Sequence, residues 1–173
     1  VAMLIYNKNL SVSPITTHLP IKYIHKHLTQ QKIINHVKLI NLFYKNRFNT
    51  VPKIAITGLN PHCESNYQSS EEDLIIKPAI KKLIKLKYNI KGPFAADTIF
   101  MREQSKKYDV IVGMYHDQVL IPIKTLYGFN AINITLGLPF IRISPDHGPN
   151  NQMLGKNLSN PKSLFEAIKF LDK

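Results

Sequence analysis

Apolar positions along this chain fall into two alternating rhythms. Lys53–Gly58 and Tyr108–Gly113 are short, β-branched runs closed by glycine, the form taken by strands buried on both faces of a parallel sheet. Val1–Tyr6 and Leu10–Thr17 flank the turn residues Asn7-Lys8-Asn9 and predict a hairpin. Ile90–Phe94, Ala131–Leu136 and Phe140–Ile143 read as further strands. Between them the spacing turns helical. Thr29 is placed to cap a helix over Gln30–Phe48, in which Ile33, Ile34, Val37, Ile40, Leu42 and Phe43 form the apolar face, and Pro52 ends the connection that follows. Glu71, Glu72 and Asp73 suit the positive end of a helix running to about Lys87. Pro161 opens a last amphipathic helix through Leu171. Strands alternating with helices predict an α/β fold of three layers, with a mostly parallel sheet plus an antiparallel hairpin. No repeat or linker divides the chain, so residues 1–173 read as a single unit.

Charge changes this picture little. Lys and Arg exceed Asp and Glu by 12, but basic residues occur in nearly every segment, which points to a spread bias and not to a built patch. Such a charge draws in anionic partners, phosphorylated metabolites included. No nucleic-acid recognition motif accompanies it, so specific nucleic-acid binding is not expected. The lone Cys63 excludes an internal disulfide. No run reaches the roughly 18 apolar residues of a membrane span, and the start lacks a signal-peptide layout, so a soluble cytoplasmic protein without a membrane partner is expected. The sequence opens at Val1, without an initiator Met and already inside an apolar run, and reads as a fragment.

Ligands of open α/β sheets collect at the carboxyl ends of strands. His18, His62 and His116 all follow predicted strands. Three neutral imidazoles with an open position make a catalytic metal site; the alternative is that each histidine merely hydrogen-bonds its loop, because no local His spacing ties them together. His25, His27 and His36 sit in or beside lysine-rich helical sequence and read as surface residues. Asp97 and Asp117 are carboxylates that could orient a ligand, bind a metal or accept a proton, or else cap a helix. Lys124 and Arg142 lie next to apolar segments, where fixed charges suit carboxylate or phosphate, and Arg142 is flanked by Phe140, Ile141 and Ile143. Asn133 alternates with Ile132 and Ile134 and could meet a substrate oxygen. Neither GxGxxG nor a P-loop occurs, so any dinucleotide binds in another way.

Six segments carry a closer likeness: Thr-Thr-His-Leu-Pro at 16–20, Gly-Leu-Asn-Pro-His at 58–62, Ala-Asp-Thr-Ile-Phe at 96–100, Met-Tyr-His-Asp-Gln at 114–118, Asn-Ile-Thr-Leu-Gly-Leu-Pro-Phe-Ile-Arg at 133–142 and Ser-Pro-Asp-His-Gly at 144–148. In this order they resemble the signature segments of the 4-hydroxythreonine-4-phosphate dehydrogenases. The resemblance covers the whole chain but only the C-terminal half of a longer two-domain enzyme, the N-terminal half being absent.

The resemblance implies an isocitrate/isopropylmalate dehydrogenase-like fold and a homodimer whose interface forms the active site. It implies a divalent metal (zinc, cobalt or magnesium) on His18, His62 and His116, and a phosphorylated substrate held by Lys124, Asn133 and Arg142. Asp97, Asp117 and Lys124 take the catalytic roles, and His147 and Gly148 lie toward NAD. The implied reaction is the NAD-dependent oxidative decarboxylation of 4-phosphooxy-L-threonine to 3-amino-2-oxopropyl phosphate in pyridoxal 5'-phosphate biosynthesis.

Two loops depart from the family pattern. Cys63-Glu64-Ser65-Asn66 replaces a glycine-rich stretch, and Pro149-Asn150-Asn151-Gln152 replaces a Thr-Ala and glycine-containing one. Two other readings remain: a paralogue acting on another phosphorylated hydroxy acid, such as a four-carbon sugar-acid phosphate, and a non-catalytic remnant or basic binding module.

Overall fold

The computed structural model describes residues 1–63, 69–148 and 151–172. One sheet runs through it, built from β1 (Ala2–Tyr6), β2 (Ser11–Thr16), β3 (Ile54–Thr57), β4 (Ile90–Phe94), β5 (Val110–Tyr115), β6 (Ile132–Leu136) and β7 (Arg142–Pro145). The order across it is β4-β3-β5-β2-β1-β6-β7. β4, β3, β5 and β2 are mutually parallel, whereas β1 is antiparallel to both β2 and β6, and β7 to β6. The expected hairpin is therefore present, and the antiparallel part extends beyond it. Residues 137–141 are too few for a crossover, so β7 must return antiparallel; Gly137 makes the turn at φ 83°. β7 begins at Arg142, later than the Phe140–Ile143 expected from apolarity, and leaves Phe140 and Ile141 about two-thirds exposed, at 63% and 64%.

Four longer helices cover the sheet: α1 (Gln30–Phe48), α2 (Lys77–Lys85), α3 (His116–Tyr127) and α4 (Lys162–Leu171). Alternation along the strands decides which face each covers. Ile54, Ile56, Val110, Val112 and Met114 pack with α1, α2 and α4, while Ala55 and Ile111 pack with Val119, Leu120 and Ile123 of α3. Three layers follow, as the strand and helix alternation predicts.

Thr29 caps α1 by accepting a hydrogen bond from Lys32 N at 3.2 Å, and Asn49 closes it in the left-handed conformation. Ile33, Ile34, Val37 and Ile40 are buried as expected. Leu42 is a correction: two residues, or about 200°, beyond Ile40, it faces outward and is 54% exposed. His36 is another. It shares the inward face with Ile33 and Val37, is buried, and stands 2.8 Å from Ser13 Oγ. The lysines around it solvate the opposite face.

α2 is preceded by a single π-turn, Glu72–Ile76, and ends at Lys85. α3 was not expected, because Pro122 lies inside it; proline lacks the N–H that a helix interior uses. Its first turns are held instead by burial of Val119, Leu120 and Ile123. The close approach of α3 to β5 requires Gly113, where an added Cβ would sit 2.4 Å from Val119 Cγ1. Gly113→Ala is expected to lose about 2 kcal/mol by overpacking, dropping the thermal unfolding midpoint by roughly 4–8 °C. Gly148→Ala, whose added carbon meets nothing within 4 Å, should unfold with the unaltered chain. Equal midpoints for the two variants would refute this account of the helix packing. Among the described residues, no helix is long and apolar enough to cross a membrane.

Candidate functional site

Parallel pairing brings the carboxyl ends of β2, β3 and β5 to one edge of the sheet. Thr16 Oγ1, at the end of β2, donates to Met114 O near the end of β5 at 2.8 Å and is buried. Just past this lock, His18 and His116 approach with ring centroids 5.5 Å apart. His116 opens α3, and its Nδ1 lies 2.7 Å from Asp117 Oδ1. A carboxylate on Nδ1 fixes the ring and leaves Nε2 for a ligand.

His62 stands apart from this pair. It occupies the turn Pro61–Cys63 beyond β3 in the left-handed conformation, at φ 58°, and lines a cleft of about 320 Å³ together with Asp97, Tyr115 and Gln118. Asp97 is exposed there, in the short helix Ala96–Ile99. Two of the three expected metal ligands are thus neighbours. Among the described residues, no three His, Cys, Asp or Glu side chains are arranged so that they could hold a metal ion.

Two buried polar residues hold the loop that carries His62, and the sequence reading missed both. Glu72 was read as a helix-dipole residue. It is fully buried, and its carboxylate accepts from Leu59 N at 2.7 Å, Asn60 N at 2.8 Å and Asn60 Nδ2 at 2.8 Å. Burial pushes this carboxyl up, but the hydrogen bonds from Asn60 and Leu59 outweigh it and hold the group below its ordinary value. Gln118 joins β3, β5 and α3 through its amide. Glu72 follows the loop by about ten residues and Gln118 closes the 114–118 segment; position in the chain marks neither as a loop anchor.

The cationic residues lie farther along the sheet. Lys124 Nζ donates to Asp146 O at 2.7 Å and to its Oδ2 at 3.1 Å. Burial raises the Asp146 carboxyl, opposed by the Lys124 ammonium. Asp146 N in turn donates to Ser163 Oγ at 2.8 Å, whose hydroxyl donates to Ala131 O at 2.6 Å, so α4 anchors this pair. Arg142 is exposed, and its NH1 donates to Thr135 Oγ1 at 2.7 Å. Asn133, two residues before Thr135 and so on the same sheet face, has a buried Oδ1 with no hydrogen-bond partner among the described residues. A buried acceptor left over in this way wants a donor from outside the chain.

His147 and Gly148 follow β7. The His147 ring is exposed, with Nδ1 3.2 Å from Gly148 O, and among the described residues nothing lies within 4 Å of a Cβ added at Gly148. Glu64, Ser65 and Asn66 of one altered loop, and Pro149 and Asn150 of the other, lie outside the described residues. A larger hollow of about 630 Å³ at the opposite end of the strands, lined by Asn7, Lys8, Arg47 and Lys169 among others, holds none of the strand-end histidines. Its Arg47 is already placed 4.5 Å over the Phe170 ring.

His18, His116 and Asp117 thus gather at the carboxyl edge of the parallel strands, while Lys124 on α3 and Asn133 and Arg142 on β6 and β7 lie back along the sheet from that edge. The profile of the family described as pyridoxal phosphate biosynthetic protein PdxA matches residues 1–171. The chain belongs to the PdxA family. A PdxA-type relative from Sulfurihydrogenibium sp., named 4-hydroxythreonine-4-phosphate dehydrogenase, is 48% identical over 169 residues, covering 96% of this chain and 52% of that protein. The crystal structure of a 4-hydroxythreonine-4-phosphate dehydrogenase from Klebsiella pneumoniae superposes with a TM-score of 0.84 at 35% identity, covering 98% of this chain and 52% of that one. A terephthalate 1,2-cis-dihydrodiol dehydrogenase from Burkholderia xenovorans superposes with a TM-score of 0.77 at 25% identity, covering 98% and 54%. The architecture is accordingly the isocitrate/isopropylmalate dehydrogenase-like one shared by PdxA proteins. The chain spans about half the length of the PdxA relatives it matches.

Proposed function

We propose that this chain is the C-terminal half of a two-domain, cytoplasmic PdxA enzyme, an NAD-dependent dehydrogenase that converts 4-phosphooxy-L-threonine to 3-amino-2-oxopropyl phosphate and carbon dioxide in pyridoxal 5'-phosphate biosynthesis. The observation that carries this reading is the His18–His116 apposition at the ends of two parallel strands. An exposed imidazole beside a half-buried one fixed by a carboxylate is the donor chemistry of a divalent metal site. His18 and His116 would hold such an ion with His62. Because His62 lines a separate cleft of the same chain, a homodimer that completes the triad across its interface fits best.

A bound ion would supply positive charge against the oxygen that turns negative when the hydroxyl gives up its proton and again when carbon dioxide leaves. NAD, which His147 and Gly148 would help to hold, would supply the hydride acceptor. Arg142 and Lys124 hold the substrate phosphate, the guanidinium by paired hydrogen bonds and the ammonium as a point charge. Asn133 Oδ1 accepts from the substrate's ammonium or hydroxyl. Asp97 and Asp117 are the carboxylates placed to take the hydroxyl proton, and Lys124 is the ammonium that returns a proton to carbon after carbon dioxide leaves. Lys124 is suited to this by its contact with Asp146, which keeps the amine oriented.

The test is a calorimetric titration of the chain with zinc and cobalt, compared with His18→Ala, His62→Ala and His116→Ala, with fold and oligomeric state measured for each. About one metal per chain, weakened at least tenfold by each substitution (roughly 1.4 kcal/mol or more), is expected. A folded dimer that takes up no metal would sink the reading. A second reading, a paralogue with another substrate, draws on the Burkholderia xenovorans structure, which carries the same fold in an enzyme named for a cyclic dihydrodiol. NADH formation with 4-phosphooxy-L-threonine but not with a four-carbon sugar-acid phosphate would decide against it.

A further inference from the structure

We propose that Gln118 is the positioning residue that sets the spacing between the His62 loop and the His116 end of α3, by prising β3 and β5 apart where their pairing stops. The ladder between these strands runs through Ile54↔Val110, Ala55↔Ile111 and Ile56↔Val112. Continued for two more residues in the same register, it would bring Gly58 opposite Met114. Gln118 takes that place. Its Nε2 donates to Gly58 O at 2.8 Å, and its Oε1 accepts from Met114 N at 2.7 Å and from Thr57 Oγ1 at 3.0 Å. One side-chain amide thereby satisfies a carbonyl of one strand end and an N–H of the other, which direct pairing would otherwise consume.

Geometry and burial support the role. Gln118 is 8% exposed, so these partners have little water to turn to if the amide is removed. Gly113 makes room for it, since a Cβ there would lie 3.0 Å from Gln118 Oε1. The strand ends opened in this way border the cleft lined by His62, Asp97 and Tyr115, and Gln118 forms part of its wall. His62 is four residues beyond Gly58, and His116 two residues beyond Met114. The amide therefore fixes the two backbone positions from which both imidazoles are launched, and the rigid supporting shell that a donor set requires is already in place.

This inference rests on the histidine metal site, and its test separates the two. Gln118→Met keeps the bulk and removes every hydrogen bond of the amide. Gln118→Glu keeps the acceptor for Met114 N and, once ionised, removes the donor to Gly58 O. Ile123→Ala, about one and a half turns of α3 nearer its far end and in a site that is 1% exposed, serves as a destabilised control. Zinc affinity by calorimetry, the visible spectrum of the cobalt form, and amide hydrogen exchange without metal at residues 57–63 and 114–117 are measured on the whole chain of each variant. Gln118→Met is expected to weaken zinc at least tenfold, change the cobalt spectrum and speed exchange at both strand ends at least tenfold. Gln118→Glu should speed exchange chiefly at 57–63, and Ile123→Ala should leave affinity and spectrum unchanged. If the unaltered chain binds no zinc, the metal reading fails, and exchange alone decides on Gln118. Exchange in Gln118→Met no faster than in Ile123→Ala at these two segments, or zinc affinity unchanged in Gln118→Met, would overturn the proposal.

Discussion

Glu72→Ala is expected to unfold roughly 10 °C below the unaltered chain, a loss of about 4 kcal/mol. The carboxylate is fully buried and accepts three hydrogen bonds from the loop ahead of His62, two of them from the backbone N–H groups of Leu59 and Asn60. Removing it leaves those donors without a partner where water enters poorly, and each buried orphan loses about 1–3 kcal/mol. Loop relaxation returns part of this. Glu72→Gln retains one or two of the contacts and should lie between. Glu71→Ala, beside it in sequence and, among the described residues, joined to the same loop through Asn60 Nδ2 at 3.0 Å, should change the midpoint by less than a third as much. Thermal unfolding of the three variants checks the account; a Glu71→Ala loss equal to that of Glu72→Ala would contradict it.

Acid is expected to weaken the chain through His36. Burial lowers its pKa from 6.5 to about 4 in the folded state, so it stays neutral there while the unfolded chain takes up a proton. Above pH 6.5 both states are neutral and nothing is lost. As pH falls from 6.5 toward 4, the unfolded state binds more protons and stability drops, by about 3 kcal/mol in total. Ser13 Oγ donates to Met3 O, so the His36 ring meets the hydroxyl as a donor from Nε2. Glutamine can reproduce that N–H without the titration. His36→Gln should thus unfold in urea with a pH dependence between 7 and 4.5 that is flatter than that of the unaltered chain. Glu72, held below its ordinary value, contributes stability that is lost at lower pH as it protonates, whereas Asp146, raised by burial, is relieved by protonation. Both persist in the variant, so the difference between the two profiles isolates His36. Parallel profiles would rule out the buried neutral histidine.

Local signals made the frame of this fold legible. Thr29 and the spacing from Ile33 to Ile40 gave α1 its start and its buried face, and the short β-branched runs ending near Gly58 and Gly113 gave the central strands. α3 was hidden because Pro122 argues locally against a helix that packing against β5 sustains. His36 was hidden because surrounding lysines suggested an exposed face, while the helical phase that puts it beside Val37 carried the opposite message. For the site, three strand-end histidines were visible, and two of them do meet. That His62 faces a different cleft depends on a left-handed backbone at its own position, which no periodicity encodes. Glu72 and Gln118 escaped notice for a related reason. A polar residue reads as surface until the burial of its neighbours is known, and their partners lie 12 and 60 residues away.

The hydrogen bond from Thr16 to Met114 spans 98 residues of chain, and the contact between His18 and His116 lies just past it. During synthesis at about 5–20 residues per second, the first imidazole waits roughly 5–20 s for the second to be made. Over that interval β1 and β2 exist as a two-stranded hairpin, which alone is marginal in water. The central place in the sheet is filled only when β5 slots between β3 and β2. Closing this long loop is slow relative to local folding. A nascent chain therefore gains its paired histidines late, in the same event that completes the parallel sheet, and chains stalled before residue 116 expose strand edges without any chelating pair.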